Sequence, residues 1–401
     1  MRRDEAGADS GSSAHAPAAV FEAEIAALEA QGLRRHRRVL QSPQQPLARV
    51  DGCEVVAFCS NDYLGLAADP RVQAATIEGA GLYGVGGGAS HLILGHGTAH
   101  HALEAALAKF VSLPRALLFS TGYMANLGIV TALVGRGDAV FADRLNHASL
   151  NDAAQLSRAE FNRYAHGDLA ALERLLAASD AARKLVITDA VFSMDGDIAP
   201  VPALLALCER YDAWLLLDDA HGFGVLGADG AGVLQHFGMA SERIIYMATL
   251  GKAAGVFGAF VAADESVIEW LVQRARPYIY TTAMPPMLAH AVLKSLEIIG
   301  GEVERRARLA ALIEQLKGAV AGLRWQLLPS ATAIQPLMIG DTVEAVRVSD
   351  ALAARGLLVP AIRPPTVPVG TARLRISLSA AHEPRHIEQL AQALHETGAG
   401  T

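Results

Sequence analysis

Short apolar runs alternate with helical patterns through the middle of the chain. Between most of these runs, apolar residues recur at helical spacing, as in 169–178 and 203–211. Strands that are apolar on both faces and alternate with helices predict an α/β protein with a mostly parallel sheet. The predicted strands cover residues 116–119, 139–142, 184–188, 213–217, 244–247 and 258–261.

The pattern changes toward both ends. Residues 1 to about 20 are predicted to be a flexible tail, and 20–31 has helical apolar spacing. A long helical pattern runs from 287 past 316, and a second helix is predicted after Glu383. Strands are predicted near 334–339, 357–359 and 373–378.

These patterns predict three parts. They are an N-terminal tail, helix and short strands over 1–60, a large domain over 61–290, and a smaller C-terminal α+β domain over 291–401.

Composition narrows the function classes. The 401 residues are 19% charged and 52% hydrophobic, as expected for a globular enzyme, and the net charge of −7 argues against nucleic acid as a partner. No apolar run approaches membrane-spanning length, and residues 1–5 have no signal-peptide pattern. Cys53, Cys59 and Cys208 lack metal-site spacing. We therefore expect a cytoplasmic protein with reduced cysteines and no metal.

Asp218 and Lys252 follow two successive apolar runs. A lysine amine can form a Schiff base with the aldehyde of pyridoxal phosphate, and a carboxylate can keep the pyridine nitrogen protonated. Each residue alone would most often be a surface lysine or an ordinary strand end. The pair together predicts a pyridoxal phosphate site.

Two glycine-containing segments are candidates for phosphate or ligand binding. Residues 120–126 follow a predicted strand and open a helix, where free backbone N–H groups attract phosphate. Ser120 or Thr121 as a simple helix cap is compatible with this role. Residues 84–89 match a dinucleotide fingerprint, but a helical pattern precedes them, so we reject that interpretation. A loop that approaches a ligand and a flexible connection remain equally open.

Two further histidine groups have competing interpretations. His147 could lie flat on a planar cofactor, although a lone histidine is more often a loop residue. His96, His100 and His101 resemble metal ligands, but an exposed helix start capped by Thr98 is favoured.

Ser193 and the arginine pair are candidates for polar contacts. Ser193 could hydrogen-bond a cofactor oxygen. Arg373 and Arg375 share one face of a strand, so one of them could bind a carboxylate, or both could form surface salt bridges.

Six runs together resemble the α-oxoamine synthase family of fold-type-I pyridoxal phosphate enzymes. The resemblance covers nearly the whole chain after the first twenty residues. It implies a large domain with a mostly parallel seven-stranded sheet, a smaller C-terminal domain and a homodimer with its active site at the subunit interface. The runs are SNDYLGL, ADRLNHASL, VFSMDGD, LDDAHG, IRPPTVPVGTARLR and AAHE.

The resemblance also implies roles for individual residues. Lys252 forms the Schiff base, Asp218 pairs with the pyridine nitrogen, and His147 stacks on the ring. The ring hydroxyl is contacted by Ser193 and His221, and the phosphate by the backbone of Gly122 and Tyr123 and by Thr249. Thr281 or Thr282 reaches the phosphate of the other subunit. Arg34 and Thr366 contact substrate, and Arg375 binds a carboxylate.

The segment IRPPTVP…TARLR, preceded by AIQPL, implies a particular reaction. This reaction is the decarboxylative condensation of L-alanine with a pimeloyl thioester in biotin biosynthesis. The sequence leaves open whether coenzyme A or acyl carrier protein carries the acyl group.

Other reactions on this fold agree less well with the sequence. Glycine-using relatives such as 2-amino-3-ketobutyrate CoA ligase and 5-aminolevulinate synthase, and a serine-using palmitoyltransferase, are disfavoured by the same segment. An aminotransferase on the same fold is disfavoured by the SMDGD and DDAHG runs. A catalytically silent subunit would not need the Schiff-base lysine.

Overall fold

The computed structural model describes residues 17–31 and 33–399, in two separate units. The described residues up to Leu40 form the first unit, and Gln41 onward form the second. The first unit contains helix α1, Pro17–Ala30, which begins three residues before the predicted helix. The predicted tail over residues 1–16 lies outside the described part of the chain.

The second unit contains the remaining helices and all the strands described below. The strands are β1 (Leu47–Val50), β2 (Cys53–Ala57), β3 (Arg115–Phe119), β4 (Ala139–Asp143), β5 (Glu160–Tyr164), β6 (Lys184–Asp189), β7 (Ala213–Asp218), β8 (Ile244–Thr249), β9 (Ala259–Ala263), β10 (Gln326–Leu327), β11 (Ile334–Gly340), β12 (Leu357–Leu358), β13 (Ala361–Ile362) and β14 (Ala372–Ser377). The helices are α2 (Pro70–Tyr83), α3 (Thr98–Phe110), α4 (Gly122–Leu133), α5 (Ala148–Ser157), α6 (Leu169–Ala177), α7 (Val201–Arg210), α8 (Val233–Phe237), α9 (Glu265–Arg274), α10 (Arg276–Ile279), α11 (Pro286–Gly301), α12 (Val303–Ala319), α13 (Thr342–Ala353) and α14 (Pro384–Ala399). A π-helical turn spans His91–Gly95.

The predicted seven-stranded sheet is confirmed, with the order β3-β9-β8-β7-β6-β4-β5. Strand β9 is antiparallel to both of its neighbours, and the other pairs are parallel. The sequence predicted six of these strands and missed β5. That strand lies at the sheet edge and carries exposed polar residues, so it lacks the continuous apolar run of a central strand.

Alternate residues of the central strands enter two apolar layers. Leu215 and Leu217 of β7 point into one layer, and Leu216 points into the other. Helices cover both faces of the sheet, which explains why the strands are apolar throughout. The layer that contains Leu215 continues into the C-terminal part of the chain, where it includes Leu374 and Leu390.

The long helical pattern after residue 287 forms two helices, α11 and α12, rather than one. The break is at Glu302, whose φ of −108° and ψ of 72° are not helical. The Glu302 carboxylate accepts a hydrogen bond from Arg305 at 2.7 Å and pairs with Arg71. Two glycines, Gly300 and Gly301, precede the break and weaken helix propagation.

The C-terminal strands form a four-stranded sheet in the order β10-β11-β14-β13. The predicted strand near 357–359 is present, but it does not join this sheet. It is β12, which pairs in parallel with β2 in a three-stranded sheet. The pairing depends on a contact between distant segments, which periodicity does not reveal. The boundaries at 60/61 and 290/291 stay predictions, and α11 spans the second of them.

Among the described helices, none combines the length and the apolar character needed to cross a membrane.

Candidate active site

The carboxyl ends of the parallel strands bring acidic side chains together. Asp189 ends β6 and Asp218 ends β7, and the two residues are direct partners in the sheet register. Both are buried. Thr249 ends the next strand, β8, and Lys252 lies in the loop that follows it. In open α/β sheets this edge is where ligands bind.

Asp218 is a buried carboxylate held by neutral donors. Its Oδ2 accepts a hydrogen bond from Asn126 Nδ2 at 2.7 Å, and its Oδ1 accepts one from the backbone N–H of Ala220 at 3.1 Å. No cationic side chain forms an ion pair with it within residues 17–31 and 33–399. An anion buried without a cation is costly, so the site favours a positively charged ligand group.

Lys252 is a partly buried amine beside this carboxylate. Its Nζ lies 2.9 Å from Nε2 of His221, and no carboxylate in the described part of the chain is within ion-pair distance. Burial lowers the pKa of Lys252 to about 8, although Asp218 and Asp189 partly oppose the shift. A far larger fraction of the amine is therefore neutral, and hence nucleophilic, near neutral pH than for a lysine of ordinary pKa.

His221 connects Lys252 to a chain of polar side chains. Its Nδ1 lies 2.6 Å from the hydroxyl of Tyr63, and that hydroxyl donates to Asn61 Oδ1 at 3.1 Å. Burial holds the pKa of His221 well below its ordinary value, so the ring is neutral. One set of directions satisfies every bond: Lys252 donates to Nε2, and Nδ1–H donates to Tyr63.

Arg375 lies at the Asn61 end of this series of hydrogen-bonded side chains. Its Nη2 donates to Asn61 Oδ1 at 3.3 Å, its Nε to the carbonyl of Ser193 at 2.6 Å, and its Nη1 to Ser377 Oγ at 2.7 Å. A guanidinium has five N–H donors, so about two remain. No carboxylate pairs with Arg375 within the described segments, whereas Arg373 pairs with Asp195. Arg375 is thus the arginine that remains available to bind a ligand carboxylate.

His147 lies at the start of α5, next to the Asp218 group. Its backbone N–H donates to Asp189 Oδ2 at 2.6 Å, and its Nδ1 lies 2.7 Å from Ser149 Oγ. Ser149 in turn accepts from Asn126, the partner of Asp218, at 2.9 Å. The ring is exposed, and partial desolvation lowers its pKa. This arrangement leaves a ring face available for stacking.

The start of α4 lies beside the end of β8. Thr121 caps the helix, and its side chain accepts from Met124 N at 3.2 Å. The backbone N–H groups of Gly122 and Tyr123 are in the first turn, where helices have no internal acceptors. A Cβ built on Gly122 would lie 3.9 Å from Thr249 Cβ. The structure therefore places Thr249 next to donors that can bind an anion.

Lys252, His221, Tyr63, Asn61 and Arg375 form one hydrogen-bonded group, the Lys252 cluster. In the described part of the chain, no hydrogen bond connects three of the predicted groups to this cluster. The Thr366 backbone N–H donates to the carbonyl of Arg363 at 3.1 Å, and Thr366 is exposed. Arg34, in the first unit, pairs with Glu29 at 3.1 Å. Thr282 forms an isolated β-bridge with Ser90. The roles assigned to Arg34, Thr366, Thr281 and Thr282 stay predictions.

The histidine group at the start of α3 differs from its expected form. Gly97 is the N-cap, not Thr98. His100 is buried, accepts from Gly97 N at 3.1 Å and bonds the carbonyl of Met284 at 2.8 Å. Both ring nitrogens therefore have structural partners. Within the described residues, no group of three or more potential ligands could hold a metal ion.

The glycine-rich segment 84–89 packs against the backbone at Ala283. A Cβ on Gly87 would lie 2.4 Å from the carbonyl oxygen of Ala283, which is too close for any side chain. This glycine is needed for a backbone–backbone contact.

Four residues that hold the site were not singled out from the sequence. Asn61 and Tyr63 lie in the run SNDYLGL, and Asn126 lies in the predicted phosphate segment. Asp189 directly follows the predicted strand 184–188, and this position was a usable signal for a site residue. The other three are recognised only from their hydrogen bonds.

The donor set fits pyridoxal phosphate. The cofactor has an aldehyde, a ring nitrogen that must carry a proton, and a phosphate. A partly neutral, partly buried amine, a buried carboxylate without a cation and free N–H groups at a helix start complement these three features, as Lys252, Asp218 and α4 provide.

Known proteins are similar to this chain in sequence and fold. The profile of aminotransferase class I and II matches residues 54–394. An 8-amino-7-oxononanoate synthase from Nitrosospira multiformis is 67% identical over 366 residues, which cover 91% of this chain and 92% of that protein.

Two solved structures are similar to this fold. A serine palmitoyltransferase from S. paucimobilis, with bound PLP-myriocin aldimine, has a TM-score of 0.89 at 31% identity and covers 95% of this chain and 97% of its own. An 8-amino-7-oxononanoate synthase from Francisella tularensis has a TM-score of 0.75 at 32% identity and covers 85% and 97%. These matches confirm the fold type and the resemblance that the sequence predicted.

Proposed function

Because this chain belongs to the class I and II aminotransferase family, we propose that it is a pyridoxal phosphate-dependent acyltransferase that joins L-alanine to a pimeloyl thioester. The products are 8-amino-7-oxononanoate, carbon dioxide and the free thiol carrier, in biotin biosynthesis. The observation that carries the proposal is the juxtaposition of the buried Asp218, at the end of β7, with Lys252 in the loop after the neighbouring strand β8. The 67% identical 8-amino-7-oxononanoate synthase supports the choice of substrates.

The bonds of the reaction balance without an outside oxidant or reductant. A new bond forms between Cα of alanine and the carbonyl carbon of the thioester, and the C–S bond breaks. The sulfur leaves as a thiolate and takes up one proton from solvent to become the free thiol. The bond from Cα to the carboxylate also breaks and releases carbon dioxide. Cα loses one proton before the new bond forms and regains one after the carboxylate leaves.

Bound pyridoxal phosphate supplies an aldehyde that joins amines and a ring that withdraws electrons from the bonds at Cα. Asp218 holds the ring nitrogen in its protonated form because the carboxylate is buried and lacks another cation. The exposed ring of His147 stacks on one face of the cofactor. Ser193 and His221 contact the ring hydroxyl, and Gly122, Tyr123 and Thr249 hold the phosphate.

Lys252 removes and returns the proton at Cα. Its pKa of about 8 allows it to act as a base and as an acid near neutral pH. His221 is neutral, so its hydrogen bond orients the Lys252 amine without protonating it.

Arg375 orients the alanine carboxylate. Its two remaining N–H donors suit a carboxylate, and its other donors fix the guanidinium to Ser193, Ser377 and Asn61. Holding the carboxylate in one orientation selects which bond at Cα reacts. Arg34 and Thr366 contact the acyl substrate.

The glycine-using alternative, 2-amino-3-ketobutyrate CoA ligase, is not favoured by these similarities. The serine palmitoyltransferase structure shares the fold at 31% identity, against 67% for the 8-amino-7-oxononanoate synthase relative. The difference in identity supports alanine over serine as the amino acid.

The proposal includes a homodimer in which Thr281 or Thr282 reaches the phosphate of the other subunit. The π-helical turn beside Thr282 exposes Ile93 and Leu94, at 80% and 86%. Exposed apolar side chains of this size support a subunit interface. A cytoplasmic location is also part of the proposal, supported by the free thiols Cys53 and Cys208.

Alanine labelled with ¹³C at its carboxyl carbon tests the reaction type. The acyltransferase must release the label as carbon dioxide in step with free thiol. An aminotransferase would place the label in pyruvate, would need a keto-acid acceptor and would release no thiol. Labelled pyruvate without thiol would overturn the proposal.

A further inference from the structure

His166 lies between two carboxylates away from the Lys252 cluster. Its Nδ1 lies 3.1 Å from Asp143 Oδ2, and its Nε2 lies 3.0 Å from Asp197 Oδ2. A histidine ring donates from both nitrogens only when it is doubly protonated. Hydrogen bonds to the two carboxylates raise the pKa of His166 to about 10, so the ring is a cation at neutral pH.

One of these carboxylates ends the turn 192–197. The Phe192 N–H donates to the carbonyl of Asp197 at 3.0 Å, and the Gly196 N–H donates to the carbonyl of Phe192 at 2.8 Å. The His166 ring also meets the Phe192 ring edge-on at 4.4 Å. His166 therefore fixes the turn through both its charge and its ring.

The same turn supports the carboxylate-binding arginine. The carbonyl of Ser193 accepts from Arg375 Nε at 2.6 Å, and Asp195 pairs with Arg373. Gly196 has a φ of +72°, and a Cβ there would lie 2.4 Å from the carbonyl of Ile334. The turn is thus packed tightly against the C-terminal sheet.

The other carboxylate fixes His166 to the end of β4. Asp143 accepts from the backbone N–H of Leu145 at 2.8 Å and of Gly167 at 3.0 Å. Asp143 is buried and held by backbone, so it is a rigid anchor. His166 consequently transmits the position of β4 to the turn and to the arginine beyond it.

We propose that His166 is a positioning residue for the amino-acid carboxylate, acting through Asp197 and the turn 192–197 on Arg375. The inference rests on the proposed function, because it assigns the alanine carboxylate to Arg375. His166 touches neither the cofactor-binding groups nor the reacting atoms.

The test compares L-alanine with ethylamine, which has the same carbon–nitrogen unit but no carboxylate. Both amines are titrated into the pyridoxal phosphate-loaded protein, and binding is followed by the cofactor's absorbance. His166→Gln can bond only one carboxylate at a time. We expect it to weaken alanine binding about tenfold and to leave ethylamine binding within twofold, with unchanged cofactor content.

A second variant distinguishes loss of this interaction from misfolding of the protein. Asp197→Asn keeps the shape of the side chain and removes its charge, so alanine affinity should fall in the same direction. The double variant should be no weaker than His166→Gln alone, because both changes act on one link. His395→Gln, on an exposed histidine with a single backbone bond, is the matched control.

The outcomes separate the inference from the proposed function. Equal losses for alanine and ethylamine, or a lower melting temperature with unchanged alanine affinity, would reduce His166 to a structural role and overturn the inference. Failure of the wild-type protein to release thiol with alanine would instead overturn the proposed function.

Discussion

The Nζ atom of Lys252 lies 2.9 Å from Nε2 of His221, a histidine whose pKa burial holds well below its ordinary value. The neutral ring accepts a hydrogen bond without competing for a proton. The contact orients the Lys252 amine. The carboxylate of Asp218, on the neighbouring strand, stays available to a cationic group of a ligand. The two groups that the chemistry needs are therefore close together, and neither forms an ion pair with the other.

Removing the amine tests the first of these groups. Lys252→Ala should abolish turnover and the visible absorption of the cofactor-bound protein, because no other described lysine shares this site. Absorbance and thiol release measure the two effects. The exposed Lys109→Ala should behave as wild type. A Lys252→Ala protein with full activity would remove the lysine from the mechanism.

Removing the charge of the buried carboxylate should affect rate more than binding. Asp218→Asn keeps the shape and the contact with Asn126, but it no longer stabilises a ring cation. We expect kcat to fall by at least about 100-fold, or about 2.7 kcal/mol, with alanine affinity within about threefold. The exposed Asp180→Asn is the control. A near-normal rate would place the nitrogen partner elsewhere.

The lowered pKa of Lys252 predicts how cofactor loading depends on pH. Only the neutral amine attacks the aldehyde, and the folded-state pKa of about 8 lies below the ordinary 10.5. The loading rate of the cofactor-free protein should therefore rise with pH through 8 and level off above about 9. Stopped-flow absorbance measures it, with a free lysine amide as reference. A rate that still climbs steeply at pH 10 would contradict the shift.

Replacing the Arg375 guanidinium tests the carboxylate-binding site. Arg375→Lys keeps the charge but loses the fixed bonds to Ser193 and Asn61. Alanine affinity should fall about 100-fold, or about 2.7 kcal/mol, as measured by absorbance titration. The exposed Arg49→Lys serves as the control. Unchanged affinity would mean that another group binds the carboxylate.

The sequence predicted the parts of the site that depend on position along the chain. Asp218 and Lys252 could be identified because they follow apolar runs, and strand ends of a parallel sheet carry ligands. The bond between Asn126 and Asp218 could not be predicted. It depends on how α4 packs on the sheet, and that packing is a contact between distant segments.

The same limit explains the errors in the fold. Strand β12 was predicted as a strand, but its partner, β2, lies far away in the sequence and could not be predicted. Strand β5 was missed because a sheet edge does not require an apolar run. Periodicity reports burial of a segment, whereas pairing depends on the topology of the whole chain.

The central claim is the use of alanine with a pimeloyl thioester, and one assay tests it most directly. Thiol release from pimeloyl-CoA is measured with L-alanine, glycine or L-serine as the sole amino acid. The account predicts release with alanine alone, accompanied by 8-amino-7-oxononanoate. Release only with glycine or serine, or only from a shorter acyl-CoA, would contradict it.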